Sequence, residues 1–352
     1  MTILDRLARV PGGLMLVPLL IGTSLNTVEQ LHVTAIEATL GWLGVEPTTH
    51  AADGHLHRSF LNIGGFTSAL AGPGATTLIA LFLVCVASQM DFGVGRKAVK
   101  KGFTLMLTKW VVGVATAYGL TAFGDGFHGP FGLTTMTIIA GMTNANGGLY
   151  MALTSKYGDR SDVGAISVIS LNDGPFLTML GLGILGQRFP AHAFVSVLLP
   201  IAVGFLLGMW DPRVRRFLAP GERLAVPFFA FALGTKLSFG VFFDTSALLG
   251  GVVLGLLTLV FTGLACAQAL RMVGEKYPIA AWCDASTAGN AVQTPAAVAL
   301  AVGASTAAGA ATKFAQAAPL AMAQISISVL TTALLCPLAV SYLARRWRSG
   351  TK

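Results

Sequence analysis

Thr143-Asn-Ala-Asn-Gly-Gly148 and Asp284-Ala-Ser-Thr-Ala-Gly-Asn-Ala-Val-Gln-Thr-Pro295 are polar stretches set inside long apolar runs. A helix in hydrocarbon satisfies its own backbone hydrogen bonds, so a Gly/Asn/Pro break at membrane depth persists only where protein or a water-filled cavity covers the released groups. Matching breaks in the two halves of a chain mark the binding site of a transporter.

The surrounding composition agrees with a membrane setting. With 54% hydrophobic residues, 11% charged residues and a mean hydropathy of +0.72, the chain is a polytopic membrane protein. Its formal charge of +8 comes from short basic clusters between apolar runs, which orient a membrane protein and do not bind nucleic acid. Cys85, Cys266, Cys283 and Cys336 all lie in apolar segments without metal-ligand spacing, so they read as packing residues and not as disulfides or zinc ligands.

Apolar runs able to cross about 30 Å of hydrocarbon fall at 12–28, 71–90, 102–120, 130–155, 162–186, 190–209, 223–240, 245–268, 278–303 and 316–343. The first imitates a signal peptide, but its Asn/Glu/Gln-rich exit offers no small-x-small cleavage site, so it is expected to be retained. With a cytoplasmic amino terminus, eighteen of the 23 basic residues fall inside. Arg58, Arg188 and Lys313 fall outside, and Lys109 and Lys236 lie within or at the edge of spans.

An internal repeat emerges when the halves are superposed. Ala80–Phe92 matches Pro227–Phe239 at an offset of 147, which also pairs Asn146 with Gln293. Pro18 pairs with Pro200 at an offset of 182, and the difference of 35 is an insertion between the first two spans, at 29–70. Five spans per half put the second copy through the bilayer upside down, an inverted repeat. The acidic insertion is expected outside, with a short amphipathic helix around 28–43. His50, Asp53, His55 and His57 in it match no standard zinc spacing, so no metal is assigned.

Other motifs carry less. Gly181-x-Gly-x-x-Gly186 closes a span and does not follow a strand, which excludes a dinucleotide fingerprint, and no Walker A sequence exists. Gly204-x-x-x-Gly208 and Gly251-x-x-x-Gly255 fit close helix approach. With no nucleophile–base set, membrane enzymology lacks support, and paired breaks fit alternating access better than an open channel.

The polar groups inside the spans remain. Asp173, midway along the fifth span, is the first candidate to carry a coupling proton or ligate sodium, and Asp284 is the second. Half-helix N-termini at the breaks suit an anionic substrate. Thr143, Asn144, Asn146, Gly147, Gly148, Asn172, Ser286, Thr287, Asn290, Gln293 and Thr294 are the candidate substrate-binding residues, unless their side chains merely satisfy the broken backbone. Lys109 and Lys236 are possible charge partners.

Four stretches carry a resemblance: Pro11-Gly-Gly-Leu-Met-Leu-Val-Pro-Leu19, Asn146-Gly-Gly-Leu-Tyr150, Ser170-Leu-x-x-Gly-Pro-x-x-Thr-Met179 and Pro227-Phe-Phe-Ala-Phe-Ala-Leu-Gly234. They resemble the bacterial 2-keto-3-deoxygluconate permease family over most of the chain. The resemblance implies an all-α, ten-helix inner-membrane symporter with a fold similar to that of bile-acid/sodium symporters, its fourth and ninth helices broken and crossing. It also implies a core domain (93–189 and 242–352) moving against a panel domain (10–92 and 190–241). Both termini would be cytoplasmic. The implied substrate is a small sugar-acid carboxylate taken up with protons, sodium coupling being the alternative; no cofactor is expected, and a homodimer is compatible. The chain departs from the family pattern at Thr143, where an acidic residue is expected, and at Asn172, with the acid displaced to Asp173.

Overall fold

The computed structural model describes residues 13–49, 56–90, 95–172, 174–186, 191–303 and 308–349. Among these the chain is helical almost throughout; the exception is a two-residue antiparallel ladder of β1 (Thr48–Thr49) with β2 (Leu56–His57). The helices that frame the molecule are α1 (Gly13–Gln30), α2 (Thr34–Trp42), α3 (Ala75–Ser88), α4 (Arg96–Thr121), α5 (Thr135–Thr143), α6 (Gly147–Tyr157), α7 (Phe176–Ile184), α8 (Ala191–Trp210), α9 (Gly221–Gly234), α10 (Thr245–Leu257), α11 (Gly263–Met272), α12 (Ile279–Asp284), α13 (Thr294–Gly303) and α14 (Ala308–Ser349).

Among the described residues, four helices are long and apolar enough to cross a membrane unbroken: α4, α8, Thr245–Met272 and the Thr312–Trp347 part of α14. Thr245–Met272 is continuous because a π-turn at Thr258–Thr262 joins α10 to α11. The count rises to six if each of two bent pairs is one span: α1 with α2, bent by 90°, and Pro212–Leu218 with Arg223–Gly234, bent by 40°. Among the described residues each expected run contains helix, but those at 130–155, 162–186, 223–240 and 278–303 are divided into shorter pieces. The single amphipathic helix expected at 28–43 is instead the end of α1 followed by α2. His32 adopts a left-handed backbone (φ 47) between them and ends the first helix.

Lipid tails give apolar helices no hydrophobic reason to associate, so close packing of small residues must hold them. Glycines supply it here. α1 lies so near α9 that a methyl on Gly22 would collide with the Phe231 carbonyl. α8 lies equally near α3, with Gly204 on the Val84 carbonyl and Gly208 on the Ser88 carbonyl. Gly251 and Gly255 seat α10 on α14, where a Cβ would come within 2.6 Å of Ile327 and 2.8 Å of Thr331. Both small-residue motifs are therefore helix contacts. The four cysteines are buried and free.

Candidate functional site

The first break is built by local capping. α5 starts at a capping box, with the Thr137 N–H donating to Thr134 Oγ1 (3.1 Å) and the Thr134 N–H to Thr137 Oγ1 (3.4 Å). It ends after nine residues at Thr143, because Asn144 turns extended (φ −90, ψ 131). Asn146 then caps α6, its Oδ1 accepting from the Leu149 N–H at 3.0 Å. In the second break α12 ends at Asp284, a short 3₁₀ turn spans Asn290–Gln293, and α13 starts at Thr294. Gly263 lets α11 ride on the Trp282 ring of α12, where a Cβ would come within 2.8 Å.

The two breaks meet. Asn146 N–H donates to Ser286 Oγ (3.1 Å), and Ala288 N–H donates to the Asn144 carbonyl (3.1 Å), so each break satisfies backbone released by the other. Lys109, only 1% exposed, reaches in from α4 and donates to the carbonyls of Asp284 (2.5 Å) and Ser286 (2.9 Å). Asn172 Nδ2 donates to the Thr143 carbonyl at 2.9 Å. From α14, Thr332 Oγ1 accepts from the Thr287 N–H (3.0 Å), and Ser328 shares a hydroxyl hydrogen bond with Thr287 (2.7 Å). Gly113 of α4 lies against Thr143, leaving 2.9 Å between a built Cβ and the Thr143 methyl.

What remains open at this crossing is a set of buried polar atoms. Both amide atoms of Asn144 and of Gln293, both carboxyl oxygens of Asp284, Asn172 Oδ1 and the hydroxyls of Thr143 and Thr294 have no hydrogen-bond partner among the described residues. Buried polar atoms are ordinarily paired, since leaving one unsatisfied costs about 1–3 kcal/mol. The crossing is also occluded: Thr143, Asn144, Asp284, Ser286, Thr287, Gln293 and Thr294 are all at most 2% exposed. Two clefts among the described residues lie elsewhere. One of about 680 Å³ is bounded by His128, Thr134, Lys313 and Gln316, and one of about 370 Å³ by Tyr157, Asp159, Asp162 and Glu275.

The expected residues thus divide by what already engages them. Asn146, Ser286 and Thr287 are used in holding the breaks together. The side-chain polar atoms of Asn144, Gln293, Thr143, Thr294 and Asp284 have no hydrogen-bond partner among the described residues. Gly147 and Gly148 form the first turn of α6, where backbone N–H groups lack intrahelical partners. Asn290 sits half-buried at the start of the 3₁₀ turn. Lys236 is not brought to the crossing: it is exposed, its stem lies across Gly72, and it makes no hydrogen bond or ion pair with either break among the described residues. Asp173 lies outside the described residues.

Sequence reasoning missed two contributors. Ser328 and Thr332, one turn apart on α14, are buried supports of the second break, and the polar run Gln324, Ser326, Ser328, Thr332 in an apolar helix was the available signal. The other is an ion cluster at one end of the molecule. Lys101, 2% exposed, pairs with Asp162 (2.5 Å), Glu275 (3.2 Å) and Asp159 (3.4 Å), while Lys97 pairs with Asp159 and Glu275 at 3.3 Å each. Burial alone would push the Asp159 carboxyl up, but the Ser161 hydroxyl, the Asp162 N–H and the two lysines outweigh it and hold it below the usual carboxylate range. Asp159 and Asp162 also form the capping box of Arg160–Gly164, which was legible as Asp-x-x-Asp.

Comparison with known proteins bears on the same architecture. Residues 55–349 match the family model for 2-keto-3-deoxygluconate permease. The chain is 41% identical over 347 residues to 2-keto-3-deoxygluconate permease 1 of Salmonella typhimurium, covering 98% of this chain and 96% of the relative. It is 35% identical over 350 residues to the 2-keto-3-deoxygluconate permease of Xanthomonas axonopodis pv. citri, covering 97% and 98%. With that of Bacillus subtilis it shares 32% over 353 residues, covering 98% and 94%. The relatives are permeases and not enzymes. The helical, multi-pass membrane protein described above belongs to the 2-keto-3-deoxygluconate permease family.

Proposed function

We propose that this chain imports 2-keto-3-deoxygluconate, the solute in its relatives' names, or a closely related sugar acid, together with protons. The observation that carries the reading is the crossing of two helix breaks that share backbone hydrogen bonds yet leave Asn144, Gln293, Thr143, Thr294 and Asp284 with unpartnered polar atoms. A keto sugar acid offers one carboxylate, one carbonyl and several hydroxyls. The carboxylate suits the first-turn amides of α6, where the helix dipole is positive. The hydroxyls and carbonyl suit the side-chain amides, which both donate and accept.

Ten spans in two inverted repeats belong to this proposal, and the packing supports them. α6 begins at Gly147 and α13 at Thr294, 147 residues apart. The contact of Gly22 with Phe231 pairs with that of Gly204 with Val84, each carried onto the other by the offsets of 182 and 147. A pseudo-two-fold axis demands such an exchange. α1, α3, α8 and α9 pack chiefly on one another, and the remaining long helices chiefly among themselves, as a panel (10–92, 190–241) and a moving core (93–189, 242–352) would.

The same proposal has both termini on the cytoplasmic side of the bacterial inner membrane. The excess of basic residues in the segments on that side supports it. Gln89 and Arg215 exchange hydrogen bonds of 2.9 Å at one end, where the Lys101 cluster also joins three segments. At the other end Asn26 donates to Leu237 O (2.9 Å) and Gln324 to Phe131 O (3.1 Å) and Ser246 O (3.0 Å).

Sodium coupling is the second reading, favoured by the many unpartnered oxygens at the crossing, both Asp284 carboxyl oxygens among them. Uptake of labelled 2-keto-3-deoxygluconate into proteoliposomes decides. Accumulation driven by an inward proton gradient without sodium is expected. A strict sodium requirement would replace the first reading with the second, and no sugar-acid uptake under either gradient would remove both. Asp173→Asn and Asp284→Asn are expected to lose accumulation.

A further inference from the structure

A cluster near the α1–α2 bend has no part in the transport reading. The ligand atoms of His32, Glu37 and His57 all lie within 4.8 Å of one another. Glu37 Oε1 is 3.1 Å from His57 Nδ1 and 3.5 Å from His32 Nδ1. The two imidazoles stack with centroids 3.5 Å apart and planes inclined by 22°.

The geometry points to a metal site. We propose that His32, Glu37 and His57 bind a divalent transition-metal ion of the zinc type, which fastens the β1–β2 ladder to the bend between α1 and α2. Zinc–nitrogen and zinc–carboxylate bonds of about 2.0–2.1 Å put neighbouring tetrahedral ligands about 3.3 Å apart, close to both Glu37–His separations. Two imidazoles and one carboxylate are a donor set that suits zinc and its neighbours over calcium or magnesium. His32 holds the left-handed conformation (φ 47) at the 90° bend that lays its ring on His57, and sharing one ion requires the stacked rings to tilt so that their nitrogen lone pairs converge. Local strain of this kind survives where the surroundings over-determine it. The side chains are 21–31% exposed, which leaves an entry path. Arg58 is turned aside, its Nε donating to the Val45 carbonyl at 2.9 Å and its guanidinium lying over Gly41.

The test uses the tag-free, full-length protein in detergent, stripped with chelator and titrated with Zn²⁺ by calorimetry and by melting. One saturable site that raises the melting midpoint is expected, with affinity lowered at least tenfold in H32A, H57A and E37Q. The metal-free midpoint of E37Q should stay near that of the wild type, so that lost binding is not lost folding; if an alanine variant fails to fold, E37Q carries the same readout. Co²⁺ should give the visible absorption of a four-coordinate site in the wild type and not in H57A. Absence of saturable binding, or equal affinity in all three variants, would overturn the site and leave the cluster as a carboxylate shared by two histidine N–H groups. Neither outcome touches the transport reading.

Discussion

Lys109→Met removes an ammonium group that bridges the second break while preserving most of the side-chain volume. Its Nζ donates to the carbonyls of Asp284 and Ser286, and it interacts electrostatically with the Asp284 carboxyl. Each hydrogen bond from a charged donor contributes about 1.5–3 kcal/mol, and removing one partner of a buried ionic arrangement costs about 3–5 kcal/mol. The better-packed Met stem offsets little of this, because two carbonyls and a carboxyl are then left buried at 0–1% exposure. The expected loss is therefore about 3–5 kcal/mol. At about 2 °C per kcal/mol for a chain of this size, the melting midpoint in detergent should fall by roughly 6–10 °C. Adding Asp284→Asn removes the orphaned acid, and the double variant should recover at least ~1 kcal/mol relative to Lys109→Met alone. A midpoint within 2 °C of wild type for Lys109→Met, or strictly additive single variants, would refute the role given to Lys109.

Other predictions follow from neighbouring features. Gly22→Ala and Gly204→Ala should each destabilise by about 1–3 kcal/mol through overpacking, whereas Gly183→Ala, with open space around it, should be neutral or stabilising in the same melting assay. Asn146→Ala should cost about 1 kcal/mol as a lost helix cap, and Asn146→Asp should restore that stability. For Asp159 the native carboxyl is held below its ordinary value, so its contribution is full above about pH 4 and is lost as the pH falls through the lowered value. The midpoint difference between wild type and Asp159→Asn should therefore stay constant from pH 5 to 9 and shrink only in stronger acid. A difference that changes near neutrality would contradict the assignment.

Much of this was legible in the chain because membrane burial writes plain signals. Lipid exposure demands long apolar runs, and the Gly/Asn breaks at 143–148 and 284–295 stand out against them. The motifs around Asn146 and Pro227 carry the family resemblance in the sequence alone. Less legible were features that depend on through-space partners. Lys101 counted only as one more positive loop residue, since nothing in its neighbourhood announces Asp162 and Glu275, 61 and 174 positions away. Ser328 and Thr332 hid in a helix whose apolar stretch already explained it. Lys236 was drawn toward the site by its charge alone, whereas packing sends its stem across Gly72. The candidate metal ligands divide the same way: His50, Asp53, His55 and His57 stand out by type but fit no zinc spacing, while the fold brings His57 to His32 and Glu37 from the preceding helical segment. His50, Asp53 and His55 lie outside the described residues.

The central claim is that the sugar acid occupies the crossing of the two breaks and uses the polar atoms that the protein leaves unpaired. Calorimetric titration of 2-keto-3-deoxygluconate into purified wild type, Asn144→Ala and Gln293→Ala tests it most directly. Each variant deletes a side chain with two unpartnered amide atoms and no structural hydrogen bond, so folding should hold while affinity falls. With about 1 kcal/mol for each lost hydrogen bond and up to two lost, Kd should weaken roughly five- to thirtyfold in each. Wild-type affinity in both variants, with melting midpoints unchanged, would place the substrate elsewhere and contradict the account.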